Sequence, residues 1–372
     1  MRNFDQQFMR HALARARRAP LTVVAPNPRV GAVVVKNGKI IGGGYHAKFG
    51  GPHAEAVALS RCKVSPRGAT LYVTLEPCCH WGKTPPCTEA IFRAGIKKVI
   101  YAIEDPHPFM KGKGMKILRQ KGIKVEILSP LERGGRGADG VCVHEAKRLN
   151  ESFFYFHKKK LPFVAVKVAT SLDGRIATRR GDSKWITSEA ARKYAREKIR
   201  SEYQAILAGV NTILRDDPCL CIRKKGVTDP VRIIFDSALQ TPLRAKVLRD
   251  ERVILCVSNK VESYKIKKFE RKGVKIWKFT GRRIPIQPLL RRLAREGINS
   301  VLVEGGGEVI GSFMDAKAIN KVYWFHAPII IGGREAIPSV GGTGAAKLLQ
   351  AIHLKRVEHT QIDRDMLTIG YI

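Results

Sequence analysis

The sequence predicts two consecutive α/β domains. Strand-like and helical segments alternate through residues 20–130. A Gly-rich polar stretch, "SPLERGGRGADG" at 129–140, interrupts them and reads as a linker. A second, longer series of apolar runs follows. A chain of 372 residues also fits two domains of the usual size. The expected division is 1–146 and 147–372.

"FDQQFMRHALARARR" carries apolar residues at helical spacing and opens the chain as an amphipathic helix. "VGAVVVKNGKIIGGGYH" holds two β-branched runs around Asn37-Gly38, a type I′ hairpin signal. "HAEAVALSRC" is helical, and "GATLYVTLEPC" is a strand running into a loop. Helix "CTEAIFRAGI", strand "KKVIYAIE", helix "GMKILRQKGI" and strand "KVEIL" complete the first series, so its sheet is partly parallel. A helix, "VHEAKRLNESFFYF", leads into the second series. There "FVAVKVATS", "QAILAGV", "VRIIFDS", "RVILCVS", "VKIWKF", "SVLVEGG" and "VYWFHAPIII" read as strands. "SEAARKYAREKIRSE", "IQPLLRRLAREGI" and "GEVIGSFMDAK" read as intervening helices.

Composition narrows the class. Hydrophobic residues make up 44% of the chain, which supports packed cores. No apolar run approaches the roughly 18–20 residues of a membrane span. The charged N-terminus lacks the apolar core of a secretory signal, and Asp5 argues against a transit peptide. The eight cysteines fit a reducing compartment, so a cytoplasmic location is expected. Cys62, Cys142, Cys219, Cys221 and Cys256 read as ordinary thiols. The formal net charge of +36 favours anionic partners. It is spread along the chain without the Arg/aromatic alternation of a nucleic-acid stripe, so no specific nucleic acid and no membrane partner is expected.

The chemistry is concentrated in residues 53–87. Hydrolytic removal of an amino group with zinc needs three protein ligands, a fourth position for water, and a carboxylate to carry protons to the departing ammonia. His53-Ala54-Glu55 supplies imidazole and carboxylate at a helix start. Pro77-Cys78 and Pro86-Cys87 supply two thiolates, the second also opening a helix. The general zinc-deaminase pattern is His-x-Glu with Pro-Cys-x-x-Cys. Here the spacing is longer, Cys78-x8-Cys87, and Cys79 and His80 are rival ligands. Cys78 is preferred because it follows Pro77.

The segments "APNPRVGAVVVKNGKIIGGGYH", "GPHAEAVAL", "YVTLEPCCHWGKTPPCTEAI" and "EDPHPFMKGKG" resemble the deaminase domain of the bifunctional riboflavin-biosynthesis family commonly called RibD. The long loop "CHWGKTPP" resembles that family's and differs from the short loop of tRNA and cytidine deaminases. The resemblance implies Zn2+ on His53, Cys78 and Cys87, with Glu55 catalytic. It further implies substrate contacts at Asn27, His46, Lys83 and Asp105. Cys79 and His107 depart from the family, where Ser and Asn are common.

In the second half, "SVLVEGGGEVIGSF" is a buried strand, three glycines and a helix start, a turn that lets backbone N–H groups approach a phosphate. It is not G-x-G-x-x-G, because Ile310 stands three after Gly307. "VKVATSLDGRIATRRGDSKWITSEAAR", "AILAGVNTILRDDPCLCIR", "RIIFDS" and "VLVEGGGEVIGSF" resemble, in order, the same family's reductase domain. The whole chain therefore resembles a cytidine-deaminase-like three-layer α/β/α domain followed by a dihydrofolate-reductase-like α/β domain. This implies NADPH contacts at Ala169, Trp185, Thr212, Asp216 and Ser237, and along Gly306, Gly307, Glu308, Val309, Ile310, Gly311 and Ser312. It implies reductase substrate contacts at Ser183, Arg200, Leu220, Arg223 and Glu304. Guanidinium binds phosphate bidentately, which suits Arg200 and Arg223. Lys167 and Glu304 suit the carbonyl and amino groups of a uracil ring. The helix carries one more residue than in some relatives, so Arg196 could replace Arg200.

The implied partners are phosphorylated pyrimidines, with room for a homo-oligomer. Two other classes share the metal motif. A nucleic-acid-editing deaminase would show strong, salt-dependent polynucleotide binding. A structural-zinc RNA-binding protein would show four protein ligands and no water.

Overall fold

The computed structural model describes residues 2–128, 138–224 and 226–372. The linker stretch 129–140 lies outside the described residues except for 138–140, which open a helix. Two compact units divide between Lys160 and Leu161, later than the expected 146/147. The helix expected to lead into the second unit is in fact a pair that packs on the first.

The first unit runs α1 (Arg2–Ala16), α2 (Leu21–Val24), β1 (Gly31–Lys36), β2 (Lys39–Tyr45), α3 (Ala54–Ser60), β3 (Thr70–Val73), α4 (Cys87–Arg93), β4 (Lys98–Tyr101), α5 (Lys113–Gln120), β5 (Lys124–Ile127), α6 (Ala138–Leu149) and α7 (Glu151–Lys159). Its sheet has the order β2-β1-β3-β4-β5. β1 pairs antiparallel with β2 and β3, and β3, β4 and β5 are parallel. Asn37 and Gly38 both take positive φ, 48° and 71°, as a type I′ turn requires.

Strand alternation divides the core between the two faces of this sheet. Val33, Val35, Tyr72 and Ile100 pack with α1 and α6. Ala32, Val34, Leu71, Val73 and Val99 pack with α3, α4 and α5. Helices therefore cover both faces. The α6–α7 pair belongs here because Ala146 and Leu149 join the α1 face. Asn150, which breaks the pair, accepts from Arg29 N at 2.8 Å and donates to Arg29 O at 3.0 Å. Gly44 brings α3 close, since a Cβ there would lie 2.6 Å from Ala58 N and 2.7 Å from Ala54 O.

The second unit runs β6 (Phe163–Thr170), β7 (Arg175–Ala177), α8 (Glu189–Tyr194), β8 (Ala205–Gly209), α9 (Val210–Asp216), β9 (Val231–Phe235), β10 (Val253–Ser258), α10 (Ser263–Glu270), β11 (Lys275–Phe279), α11 (Ile286–Arg295), β12 (Ser300–Val303), α12 (Gly307–Asp315), β13 (Lys321–His326), β14 (Ile337–Pro338), β15 (Lys355–Ile362) and β16 (Asp365–Tyr371). A nine-stranded sheet has the order β11-β10-β9-β8-β12-β6-β13-β16-β15. It is parallel from β11 to β13 and antiparallel through β16 and β15. The seven expected strands are all present. The hairpin β15–β16 and the short β7–β14 pair were not expected. After α8 the chain makes a π-turn over Ala195–Ile199 and a 3-10 turn over Arg200–Glu202, where one continuous helix was expected. Cys219 and Cys221 lie side by side on the loop after α9, their Cα atoms 5.3 Å apart.

Candidate functional site

The first site is built from two helix starts and the loop between β3 and α4. His53 is the N-cap of α3, and Glu55 lies in that helix's first turn. Cys87 opens α4, and Cys78 sits on the loop after β3. The Cys78 and Cys87 sulfurs each lie 3.3 Å from His53 Nδ1, and Cys87 N donates to Cys78 Sγ at 3.2 Å. These three residues are the group among the described residues that could hold a metal ion, their ligand atoms all within 4.8 Å of one another. The donor set fits zinc, being two thiolates and an imidazole with a fourth position left over.

The rival ligands point elsewhere. His80 Nδ1 lies 3.0 Å from Met110 Sδ. Cys79 is outside the group, and burial pushes its thiol up. The Cys87 side chain, by hydrogen bonding, holds Cys78 down at about 4. The same bond pushes Cys87 well up. A cation between them would favour ionisation of both. Glu55 is buried, and burial, reinforced by the Cys78 charge, raises its carboxyl to about 7.

Asn27 and His46 stand beside His53, and Asp105 is near enough to Cys78 to feel its charge. His46 Nδ1 meets Pro52 O at 3.0 Å, and its Nε2 meets Asn27 Nδ2 at 3.2 Å. That pattern makes Nδ1 the donor and leaves Nε2 to accept. The His46 and His53 rings stand edge to face at 5.4 Å. Burial lowers the His46 pKa. Asp105 Oδ1 accepts from His107 N at 2.8 Å, and burial raises the Asp105 carboxyl to about 6. Lys83 is exposed, its ammonium 4.0 Å from the Phe49 ring centroid, in the loop before His53.

The second site is a cavity of about 600 Å³ at the carboxyl ends of β6, β8 and β12, the usual ligand position in parallel sheets. Of the expected residues, Lys167, Ala169, Ser183, Thr212, Asp216, Glu304, Gly306, Gly307, Glu308 and Val309 line it. Trp185, Ser237, Arg200, Leu220, Arg223, Ile310, Gly311 and Ser312 do not. Trp185 is 67% exposed and stacked with the Arg192 guanidinium at 4.2 Å. Ile310 is core. The glycines here answer to packing as well as to ligand approach. A Cβ on Gly307 would lie 2.6 Å from Pro338 O, and one on Gly311 2.3 Å from the Gly341 carbonyl carbon, whereas Gly306 meets nothing.

Arg200 and Glu304 form a pair that sequence reasoning did not foresee. Nε and Nη2 donate to the two carboxylate oxygens at 2.9 and 2.8 Å, and Nη1 donates to Cys221 O at 2.8 Å. Burial works against both charges, but each stabilises the other. Glu304 is held below the usual carboxylate range and Arg200 above its own. Burial lowers the neighbouring Lys167, against the pull of Glu304. Arg196, lowered by burial and then by Arg223, Arg200 and Arg192, marks a convergence of cations.

A metal-and-glutamate centre of the deaminase type, joined to a reductase-type unit with its cleft at parallel strand ends, defines a bifunctional enzyme class. Known proteins agree. Residues 2–103 match the cytidine and deoxycytidylate deaminase zinc-binding region, and residues 162–368 match the RibD C-terminal domain. The riboflavin biosynthesis protein RibD of Aquifex aeolicus is 41% identical over 368 residues, 99% of this chain and 98% of its own. RibD of Acinetobacter baumannii superposes with TM-score 0.88 at 34% identity, covering 100% of this chain and 99% of its own. A Thermotoga maritima structure described as a diaminohydroxyphosphoribosylaminopyrimidine deaminase/5-amino-6-(5-phosphoribosylamino)uracil reductase gives TM-score 0.85 at 37% identity, covering 100% and 99%. The chain belongs to the RibD family, the bifunctional deaminase–reductases of riboflavin biosynthesis. The expected fold classes of both units hold. Among the described residues no helix is long and apolar enough to cross a membrane.

Proposed function

We propose that the chain acts twice on one phosphoribosylated pyrimidine in the cytoplasm. The first unit deaminates 2,5-diamino-6-(5-phosphoribosylamino)pyrimidin-4(3H)-one. The second reduces the ribosyl group of 5-amino-6-(5-phosphoribosylamino)uracil to ribityl with NADPH. The observation that carries the reading is the His53/Cys78/Cys87 group with the buried Glu55 beside it.

Zinc held by His53, Cys78 and Cys87 would lower the pKa of a water toward roughly 7. Glu55, buried beside the metal group, is suited to take a proton from the attacking water and return it to the departing ammonia. Asn27 and His46 contact the pyrimidine; Lys83 and Asp105 hold the ring and its phosphoribosyl arm.

In the second unit the nine-residue helix α12 begins at the cavity, and its N-terminus suits a pyrophosphate. Residues Ala169, Thr212, Asp216 and 306–309 receive NADPH, with Trp185, Ser237 and 310–312 at its margins. NADPH bound there would supply hydride to C1′ of the ribosyl group, and the ring oxygen would need a proton as the C1′–O bond breaks. Lys167, Ser183 and Glu304 orient the substrate, alongside Leu220. Because the three guanidinium nitrogens of Arg200 are engaged, Arg196 and Arg223 are the better phosphate pair, and Arg200 orients Glu304.

Chelation of the metal tests the division of labour. It should abolish ammonia release and leave NADPH oxidation by the deaminated substrate intact. Loss of both activities, or of neither, would contradict one reaction per unit.

A further inference from the structure

The mechanism above leaves one buried carboxylate of the first unit without a task. Glu76 is 3% exposed and stands two residues before Cys78. Its Oε2 accepts from Asp105 N at 3.3 Å and from Gly112 N at 2.9 Å, and its Oε1 accepts from Gly114 N at 3.0 Å. Its own N–H donates to Ile103 O at 3.0 Å. One side chain therefore ties the loop bearing Cys78 to both ends of the 105–114 segment.

An ordinary helix cap explains part of this. Gly112 is the N-cap of the eight-residue α5, and a carboxylate there satisfies free N–H groups and faces the positive end of the helix dipole. The bond to Asp105 N falls outside any cap of that helix. Packing reinforces the tie, since a Cβ on Gly114 would lie 2.2 Å from Pro77 O. The helix start therefore rests against the carbonyl next to Cys78. Asp105 orients its carboxylate through the turn with His107 N, so the backbone that Glu76 grips determines where that carboxylate points.

We infer that Glu76 is a positioning residue for deamination: it holds Asp105, and through it the substrate, in register with the Cys78 side of the metal group. The inference rests on the deaminase reading and adds a role that no ligand or proton carrier supplies. Outer contacts of this kind typically change affinity or activity by about 10–100-fold when altered.

The test compares Glu76→Gln, nearly isosteric but uncharged and with a donor facing backbone N–H groups, with Glu76→Ala. Steady-state deamination, zinc content, reductase rate and amide hydrogen exchange are measured on the full chain. For Glu76→Gln we expect KM for the diaminopyrimidinone to rise about 10–100-fold with kcat changed by less than about fivefold. Zinc should stay at one per chain, the reductase rate should not move, and exchange at Asp105, Gly112 and Gly114 should quicken. Glu76→Ala should exaggerate each change; if it fails to fold, Glu76→Gln decides. Wild-type KM with wild-type exchange would overturn the inference, as would a fall in kcat alone or zinc loss with the three amides still protected. Absence of ammonia release by wild-type protein would instead sink the deaminase reading, while the exchange data would still report on the tie.

Discussion

Replacing Glu304 by Gln should strongly destabilise the reductase unit. The Glu304 and Arg200 side chains are only 11% and 14% exposed, so solvent screens them little. Their two parallel contacts at 2.8 and 2.9 Å are the strong bidentate form. Removing one partner of a buried pair costs about 3–5 kcal/mol, mostly from the charge left behind. Gln keeps one acceptor and belongs at the lower end; Ala belongs at the upper. Lys167 moderates the loss, since burial already lowers its pKa and it can shed its proton. For a unit of this size each kcal/mol moves Tm by about 2–4 °C, so a shift of about 6–20 °C is expected. The assay is scanning calorimetry of the full chain, with the reductase transition recognised by its upward shift when NADPH is added. Replacing both residues by Met should recover much of the loss, because an apolar pair removes the orphaned charge. A Glu304→Gln transition within about 1 °C of wild type would refute the claim that this pair is buried and mutually dependent.

Glu55→Gln should lower deaminase kcat by at least about 10²–10⁴-fold while leaving zinc content and NADPH oxidation intact, as read by metal analysis and the two separate assays. Gly311→Ala should destabilise the reductase unit by about 1–3 kcal/mol in calorimetry, because the new Cβ would lie 2.3 Å from the Gly341 carbonyl carbon. Burial, followed by the charges of His107 and Lys160, lowers His157 to about 4 from 6.5. Its Nδ1 lacks a hydrogen-bond partner. As pH falls below 6.5 the unfolded chain takes up this proton before the folded one, so stability drops toward pH 4. His157→Phe should remove that component, about 1–2 kcal/mol after solvent screening, and flatten the fall in Tm between about pH 7 and pH 5.

The features legible in the sequence were those fixed by local chemistry. Asn37-Gly38 specifies its turn through φ alone. His53, Glu55 and Cys87 could be read because two helix starts present them. The hairpin β15–β16 escaped because β15 is exposed along nearly its whole length and shows no alternation. The domain boundary escaped because α6 and α7 look alike as helices whichever unit they pack on, and their packing on the α1 face together with the Arg29–Asn150 contacts decides. Glu76 and the Arg200–Glu304 pair escaped for a related reason. Their partners lie far along the chain, and those of Glu76 are backbone N–H groups that leave no trace in residue type. Gly307 reads as part of a phosphate turn and Gly311 as a cofactor contact that the resemblance implies, but contacts with Pro338 and Gly341 constrain them as well.

The most direct test of the two-reaction account is one incubation of purified, zinc-containing protein with the diaminopyrimidinone phosphate, following ammonia and NADPH absorbance together. The account predicts ammonia release without cofactor, then equimolar NADPH oxidation once it is added. Ammonia without NADPH oxidation would contradict the reductase assignment, and neither signal would contradict the account as a whole.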